Sequence, residues 1–225
     1  MMDSLKKKMF FHGNFESAAD WAFLSEEWSI FPLWDFLKKE NFNSWDEVIL
    51  ALKELLMKAD VSEVAGYSLG GRLLLGLIDK GFKVKSYEFF STHPGLTSED
   101  SKNARIWSDL KWKEKVLNSD WTELHREWNS QEIFVNSFKP YDTFKGLEQY
   151  RSEIAQAFDV LSLGRMPDFQ AIKFPKDAKV QWVCGQHDHK FRALGESFCK
   201  QHPKINYLLA FNQSHRMPLF IKDVL

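Results

Sequence analysis

The sequence of 225 residues predicts an α/β fold, a mostly parallel sheet with helices on both faces and a helical insertion. Three observations predict it. Strand-like apolar runs alternate with segments of helical period, the pattern of parallel strands joined by crossover helices. One junction, VAGYSLGGRLL at 64–74, passes from strand to helix through a serine with glycines on both sides. Between about Thr92 and Asp168 the chain turns charged, tryptophan-rich and helical with no convincing strand, as an insertion between two strands would.

The elements follow in order. Lys8 to Phe11 is a short apolar run ending in His12-Gly13, and Trp28 to Leu33 is a second strand candidate weakened by Pro32. Ser44-Trp45-Asp46-Glu47 reads as a capping box, with the helical spacing of VILALKELLMK behind it. Glu63 to Tyr67 is the strand before the serine, and Leu69 to Lys80 the helix after it. KVKSYEFF (83–90), AKVQWVCG (178–185) and INYLLAF (205–211) are strand-like. The expected organisation is a core of residues 1–91 and 169–225 with a helical cap, 92–168, set into it. The chain starts close to its first strand, so a sheet shortened at the N-terminal side is expected.

Composition narrows the function classes. Lys and Arg total 30 against 31 Asp and Glu, so no global charge points to nucleic acid or an anionic membrane. Twenty Phe and nine Trp suit a thick core and an apolar pocket. Cys184 and Cys199 have no metal-ligand spacing, and Cys184 lies in an apolar run as a buried thiol would. No apolar segment is long enough to span a bilayer, and MMDSLKKKMFFHG is a poor signal peptide. A soluble, cytoplasmic protein is expected. The oligomeric state is not set by the sequence, and a monomer is compatible with it.

Gly66-Tyr67-Ser68-Leu69-Gly70 matches the G-x-S-x-G nucleophile elbow, where the chain turns so sharply that small residues must flank the serine. The simpler explanation is a serine capping a helix. A serine hydroxyl becomes reactive when a histidine takes its proton and an acid fixes the tautomer of that histidine. In elbow-bearing folds these partners follow in the order acid, then histidine, each after a strand. Asp188 comes three residues after Gly185, and His215 four after Phe211, both at strand ends, where open α/β sheets bind ligands. Singly, Asp188 would read as a surface acid and His215 as an ordinary histidine. Their order and placing with Ser68 favour a triad. His187 and His189 flank Asp188, but no third ligand at a recognisable spacing supports a metal site. An oxyanion hole needs two N–H donors. Leu69, after the nucleophile, is one candidate, and Asn14, behind His12-Gly13, marks the loop for the other.

The HG loop, the GYSLGG turn and the late Asp and His together resemble the α/β-hydrolase superfamily, whose members catalyse many reactions. GYSLGGR, STHPGL, NARIWSDLKW and CGQHDHKFRAL are more specific. They resemble the 2-succinyl-6-hydroxy-2,4-cyclohexadiene-1-carboxylate synthases of menaquinone biosynthesis, from about Met9 to the C-terminus. The resemblance implies a lyase that eliminates pyruvate from a carboxylated cyclohexene without metal or other cofactor, with Ser68, poised by His215 and Asp188, as base. Its partner would be a small anionic substrate rather than nucleic acid or membrane. Such a substrate demands cations in an otherwise apolar pocket, and arginine binds carboxylates bidentately. Arg72 lies one turn after Ser68 and matches the arginine of GYSLGGR. By the same resemblance Arg105 is a second carboxylate ligand, Trp128 lines the site and Tyr67 precedes the nucleophile.

Departures from that pattern keep a second reading open. A third arginine is expected upstream of SLGRMPDF (162–169), and Arg151 is nearest in type but displaced by about five residues. The usual DLPGHG loop after the second strand is replaced by FPLWDFLKK, and Phe220 stands where an acidic residue is usual. The alternative is therefore a carboxylesterase or thioesterase, a hydrolase using the same triad through an acyl-enzyme. A non-catalytic binding protein would have no need of all three triad members.

Overall fold

A computed structural model describes residues 7–134, 137 and 146–225. Six strands form one sheet: β1 (Lys8–Phe11), β2 (Ser29–Ile30), β3 (Glu63–Tyr67), β4 (Ser86–Phe90), β5 (Lys179–Gly185) and β6 (Asn206–Ala210). Their spatial order is β2-β1-β3-β4-β5-β6, and every neighbouring pair is parallel. The expected parallel sheet is thus present. β2 is only two residues long, because Pro32 has no N–H for a ladder and instead precedes α1 (Leu33–Leu37).

Strand alternation builds two cores. Met9, Phe11, Val64, Phe89, Trp182 and Cys184 point to one face, while Phe10, Ala65, Tyr67, Phe90 and Val183 point to the other. The first face is the thicker. It is covered by α1, α2 (Trp45–Lys58), α3 (Leu69–Asp79) and the later α7 (His189–Gln201). The second is closed by the 3-10 segment Ala18–Leu24, through Trp21 and Leu24, and by α8 (Pro218–Val224), through Ile221. Helices therefore lie on both faces.

Between β4 and β5 stand α4 (Glu99–Asn118), α5 (Trp121–Asn129) and α6 (Arg151–Val160). Each begins with a local signal or a packed face. Ser98 and Asp120 accept N–H bonds from Ser101 and Glu123 at the starts of α4 and α5, and α6 buries Ile154, Ala155, Ala157 and Phe158. The capping box expected before α2 is half formed. Ser44 accepts from the Glu47 N–H at 3.2 Å, but the Glu47 carboxylate reaches back to the Asn43 N–H at 2.8 Å rather than to Ser44.

Candidate active site

The turn between β3 and α3 is forced by contact. A Cβ on Gly66 would lie 2.6 Å from the Gly70 and Gly71 backbone, and one on Gly70 would lie 2.0 Å from the Phe11 carbonyl oxygen. The helix therefore leaves the strand in contact with β1, and Ser68 at the corner has φ 53° and ψ −107°. A non-glycine residue with positive φ is strained, and such strain collects at functional turns. The Ser68 N–H donates to Phe90 O at 2.9 Å, which ties the corner to β4.

Asp188 and His215 meet beside it. Asp188 caps α7 by accepting from the Phe191 N–H, and its other carboxylate oxygen lies 2.6 Å from His215 Nδ1. Both side chains are buried. An Nδ1–H held by a carboxylate puts the basic lone pair on Nε2. The imidazole is walled by Tyr67, Phe134 and Phe191, with ring centroids 5.5, 5.7 and 4.6 Å away. The Ser91 hydroxyl donates to the His215 carbonyl at 3.0 Å and fixes its loop.

These groups face a cavity of about 660 Å³ whose lining includes Asn14, Tyr67, Ser68, Asp188 and His215. Asn14 stands on the loop after β1, and among the described residues its buried side-chain oxygen has no hydrogen-bond partner. Leu69 is the first residue of α3, where a backbone N–H has no acceptor within the helix. The loop around Asn14 is held by Glu16, whose carboxylate accepts the Gly13 N–H at 2.8 Å and Trp21 Nε1–H at 3.1 Å. Burial raises the Glu16 carboxyl to about 7, against the pull of the Gly13 hydrogen bond and the nearby Arg216 charge.

The cations are distributed unevenly. Arg72 is buried and lines the cavity, with Nη1 donating to the Leu161 carbonyl at 2.7 Å. Burial, and then the charge of Arg105, lowers it to about 9, while Asp109 opposes the shift. Arg105 also lines the cavity, and its Nε donates to Asp109 at 2.8 Å. Asp109 accepts from the Ser162 hydroxyl as well, at 2.7 Å, which joins α4 to the loop after α6. Trp128 is buried against Phe15, Trp112, Phe134 and Phe158 on the aromatic wall. Arg151 is placed elsewhere. Its Nη1 donates to the Val116 and Ser119 carbonyls, its guanidinium stacks over Trp121 at 4.9 Å, and it is not among the lining residues.

Charged and titratable lining residues beyond the sequence candidates include Glu16, His93, Lys190 and Arg216. Two of them lay inside quoted motifs, His93 in STHPGL and Lys190 in CGQHDHKFRAL, and that was the available signal. His93 Nδ1 accepts the Gly95 N–H at 3.1 Å, so a neutral ring carries its proton on Nε2. Burial, reinforced by the charges of Lys190, Arg72 and Arg105, lowers its pKa to about 3. His187 and His189 also line the cavity, but among the described residues no group of three or more His, Cys, Asp or Glu is arranged to hold a metal ion.

A parallel sheet with a strained serine after β3, an acid after β5 and a histidine after β6 defines the α/β-hydrolase fold. Solved structures agree: a Staphylococcus aureus MenH structure superposes with a TM-score of 0.79 at 17% identity, covering 97% of this chain and 92% of that one. A carboxylesterase structure from the thaumarchaeon Nitrososphaera gargenis gives 0.66 at 13% identity, covering 99% and 87%. In sequence, the chain is similar to 2-succinyl-6-hydroxy-2,4-cyclohexadiene-1-carboxylate synthases. That of Salmonella heidelberg is 28% identical over 160 residues, which is 67% of this chain and 62% of the relative. The Salmonella newport protein is likewise 28% identical, over 162 residues. The chain thus matches less than two thirds of the length of these relatives, and no family model matches it. Among the described residues no helix is long and apolar enough to cross a membrane.

Proposed function

We propose that this chain is a carbon–oxygen lyase that eliminates pyruvate from a carboxylated cyclohexene to give 2-succinyl-6-hydroxy-2,4-cyclohexadiene-1-carboxylate. The observation that carries the reading is a pair of arginines, Arg72 and Arg105, in the same cavity as Ser68 and the hydrogen-bonded Asp188 and His215. The likeness to the synthases adds to it. An ester hydrolase acting on neutral substrates has no need of two guanidiniums in a cavity walled by tryptophan and phenylalanine.

In this reading His215 Nε2 takes the Ser68 proton and Asp188 steadies the imidazolium. The Ser68 oxygen takes a ring proton, the C–H electron pair becomes a ring double bond, and the ring C–O bond breaks. Negative charge building on the oxygen of the activating carbonyl is held by the Leu69 N–H and a donor of the Asn14 loop. The proton removed leaves with the departing enolpyruvate, which tautomerises to pyruvate. Arg72 and Arg105 hold substrate carboxylates while Trp128 and its neighbours exclude water. The helices at 92–168 serve as the cap over this cavity, and the residues outside it form the core. Tyr67 lines the cavity next to Ser68, whereas Arg151 takes a structural part in joining α6 to the end of α4.

The test is a coupled assay in which isochorismate, 2-oxoglutarate and the upstream thiamine-dependent synthase make the substrate in situ. Fast formation of the cyclohexadiene is expected, with kcat/KM reduced at least a thousandfold in Ser68→Ala and strongly in Arg72→Ala. No acceleration over the spontaneous reaction by folded protein would overturn the reading. The second reading, an esterase or thioesterase, draws on the carboxylesterase likeness over nearly the whole chain. Rapid turnover of neutral esters, lost in Ser68→Ala, would favour it.

A further inference from the structure

Arg216 directly follows His215 and lines the same cavity. It is 8% exposed. Its guanidinium lies 3.7 Å from the centre of the Phe134 ring, and Nη1 donates to Asn129 Oδ1 at 2.5 Å. Its charge also acts on Tyr67, the neighbour of Ser68. Among the described residues no carboxylate oxygen forms an ion pair with it; Glu16 feels its charge only at longer range.

The cations of the cavity fall into two groups. Arg72 and Arg105 form one, held by the Leu161 carbonyl and by Asp109, which itself accepts from Ser162 in the loop after α6, and both charges act with Lys190 on His93. Arg216 has no part in that group. Its charge acts on Glu16, Tyr67 and His125 instead. The three arginines are thus held by different parts of the fold, Arg216 by Asn129 at the end of α5 and by the Phe134 ring, so positive charge stands at two places in one cavity.

We infer that Arg216 is a further carboxylate anchor, separate from the one built by Arg72 and Arg105, and strengthens the hold of the cavity on a small polycarboxylate. The inference rests on the anion-binding side of the proposed function, and not on the elimination itself. A guanidinium stacked on a ring and fixed at one nitrogen keeps further N–H groups in a planar fork, suited to a carboxylate. Held in place beforehand, it loses little side-chain freedom on binding.

Calorimetric titration with two stable probes tests this without turnover: propane-1,2,3-tricarboxylate and butyrate. The wild-type protein is expected to bind the tricarboxylate more tightly. Arg216→Gln, with unchanged thermal unfolding, is expected to weaken tricarboxylate binding by about tenfold or more and to leave butyrate within about twofold. Should the glutamine variant not fold, Arg216→Lys keeps the charge but not the fork, and a loss of several-fold for the tricarboxylate alone is expected. Unchanged tricarboxylate affinity, an equal loss for both probes, or no tricarboxylate binding by the wild-type protein would each overturn the inference. Arg216-dependent binding without pyruvate release in the coupled assay would uphold this inference while the lyase reading fails. Pyruvate release with a KM indifferent to Arg216→Gln would do the reverse.

Discussion

Glu16 illustrates how much a single buried group can carry. One carboxylate oxygen accepts both the Gly13 N–H and the Trp21 indole, so the carboxyl organises the loop that presents Asn14. Because burial raises it from 4.5 to about 7, the folded protein keeps a proton between those values that the unfolded chain releases. Stability is therefore expected to fall as pH rises through that window and to level off above about 7. Burial raises Glu88 to about 7 as well, so it adds a slope of the same sign. Glu16→Gln preserves an acceptor for Gly13 without the titration. Denaturant unfolding of wild type and variant from pH 5 to 8 should show the variant gaining relative stability, by up to about 3 kcal/mol across the window. Parallel curves would mean that Glu16 is ionised throughout.

At the scale of elements, the serine corner depends on α3 pressing against β1. A methyl group at Gly70 would meet the Phe11 carbonyl at 2.0 Å, a backbone atom that cannot rotate away. Gly70→Ala is therefore expected to destabilise by about 3 kcal/mol or more and to displace Ser68. Gly146→Ala, where no atom of the described residues lies within 4 Å of the added carbon, should stay within about 0.5 kcal/mol of wild type. Chemical denaturation of the two variants side by side checks the contrast. Much at this scale was legible in advance. The α3 helix was expected from Leu69 to Lys80 and runs from Leu69 to Asp79. β4 was expected from 83 and starts at Ser86, since Lys83–Lys85 precede the point where pairing with β3 begins. β2 falls furthest short of its expected range, because Pro32 has no N–H for the ladder and opens a helix instead.

For the whole molecule, a formal net charge of −1 leaves no long-range field to gather anions, yet the cavity brings together Arg72, Arg105, Lys190 and Arg216. Binding of an anionic substrate should thus depend on local, partly exposed charges that salt screens in part. Raising ionic strength from about 20 to 500 mM is expected to raise KM for the polycarboxylate several-fold and to leave KM for a neutral ester within about twofold. Equal behaviour of the two substrates would place the anions outside the reach of these cations.

The sequence by itself determined the parallel α/β architecture, the serine corner, and the acid and histidine that the fold brings within 2.6 Å of each other. These were legible because strand periodicity and chain order at strand ends are local properties, and a parallel sheet aligns those ends at one edge. Only the tertiary structure decided which cations share the cavity. Arg151 looked nearest to the expected third arginine, yet its guanidinium is held by carbonyls at the end of α4, while Arg216, Lys190 and Glu16 converge from three distant segments. Whether a long charged side chain turns inward depends on the acceptors and rings that surround its tip, and those come from parts of the chain that only folding brings near.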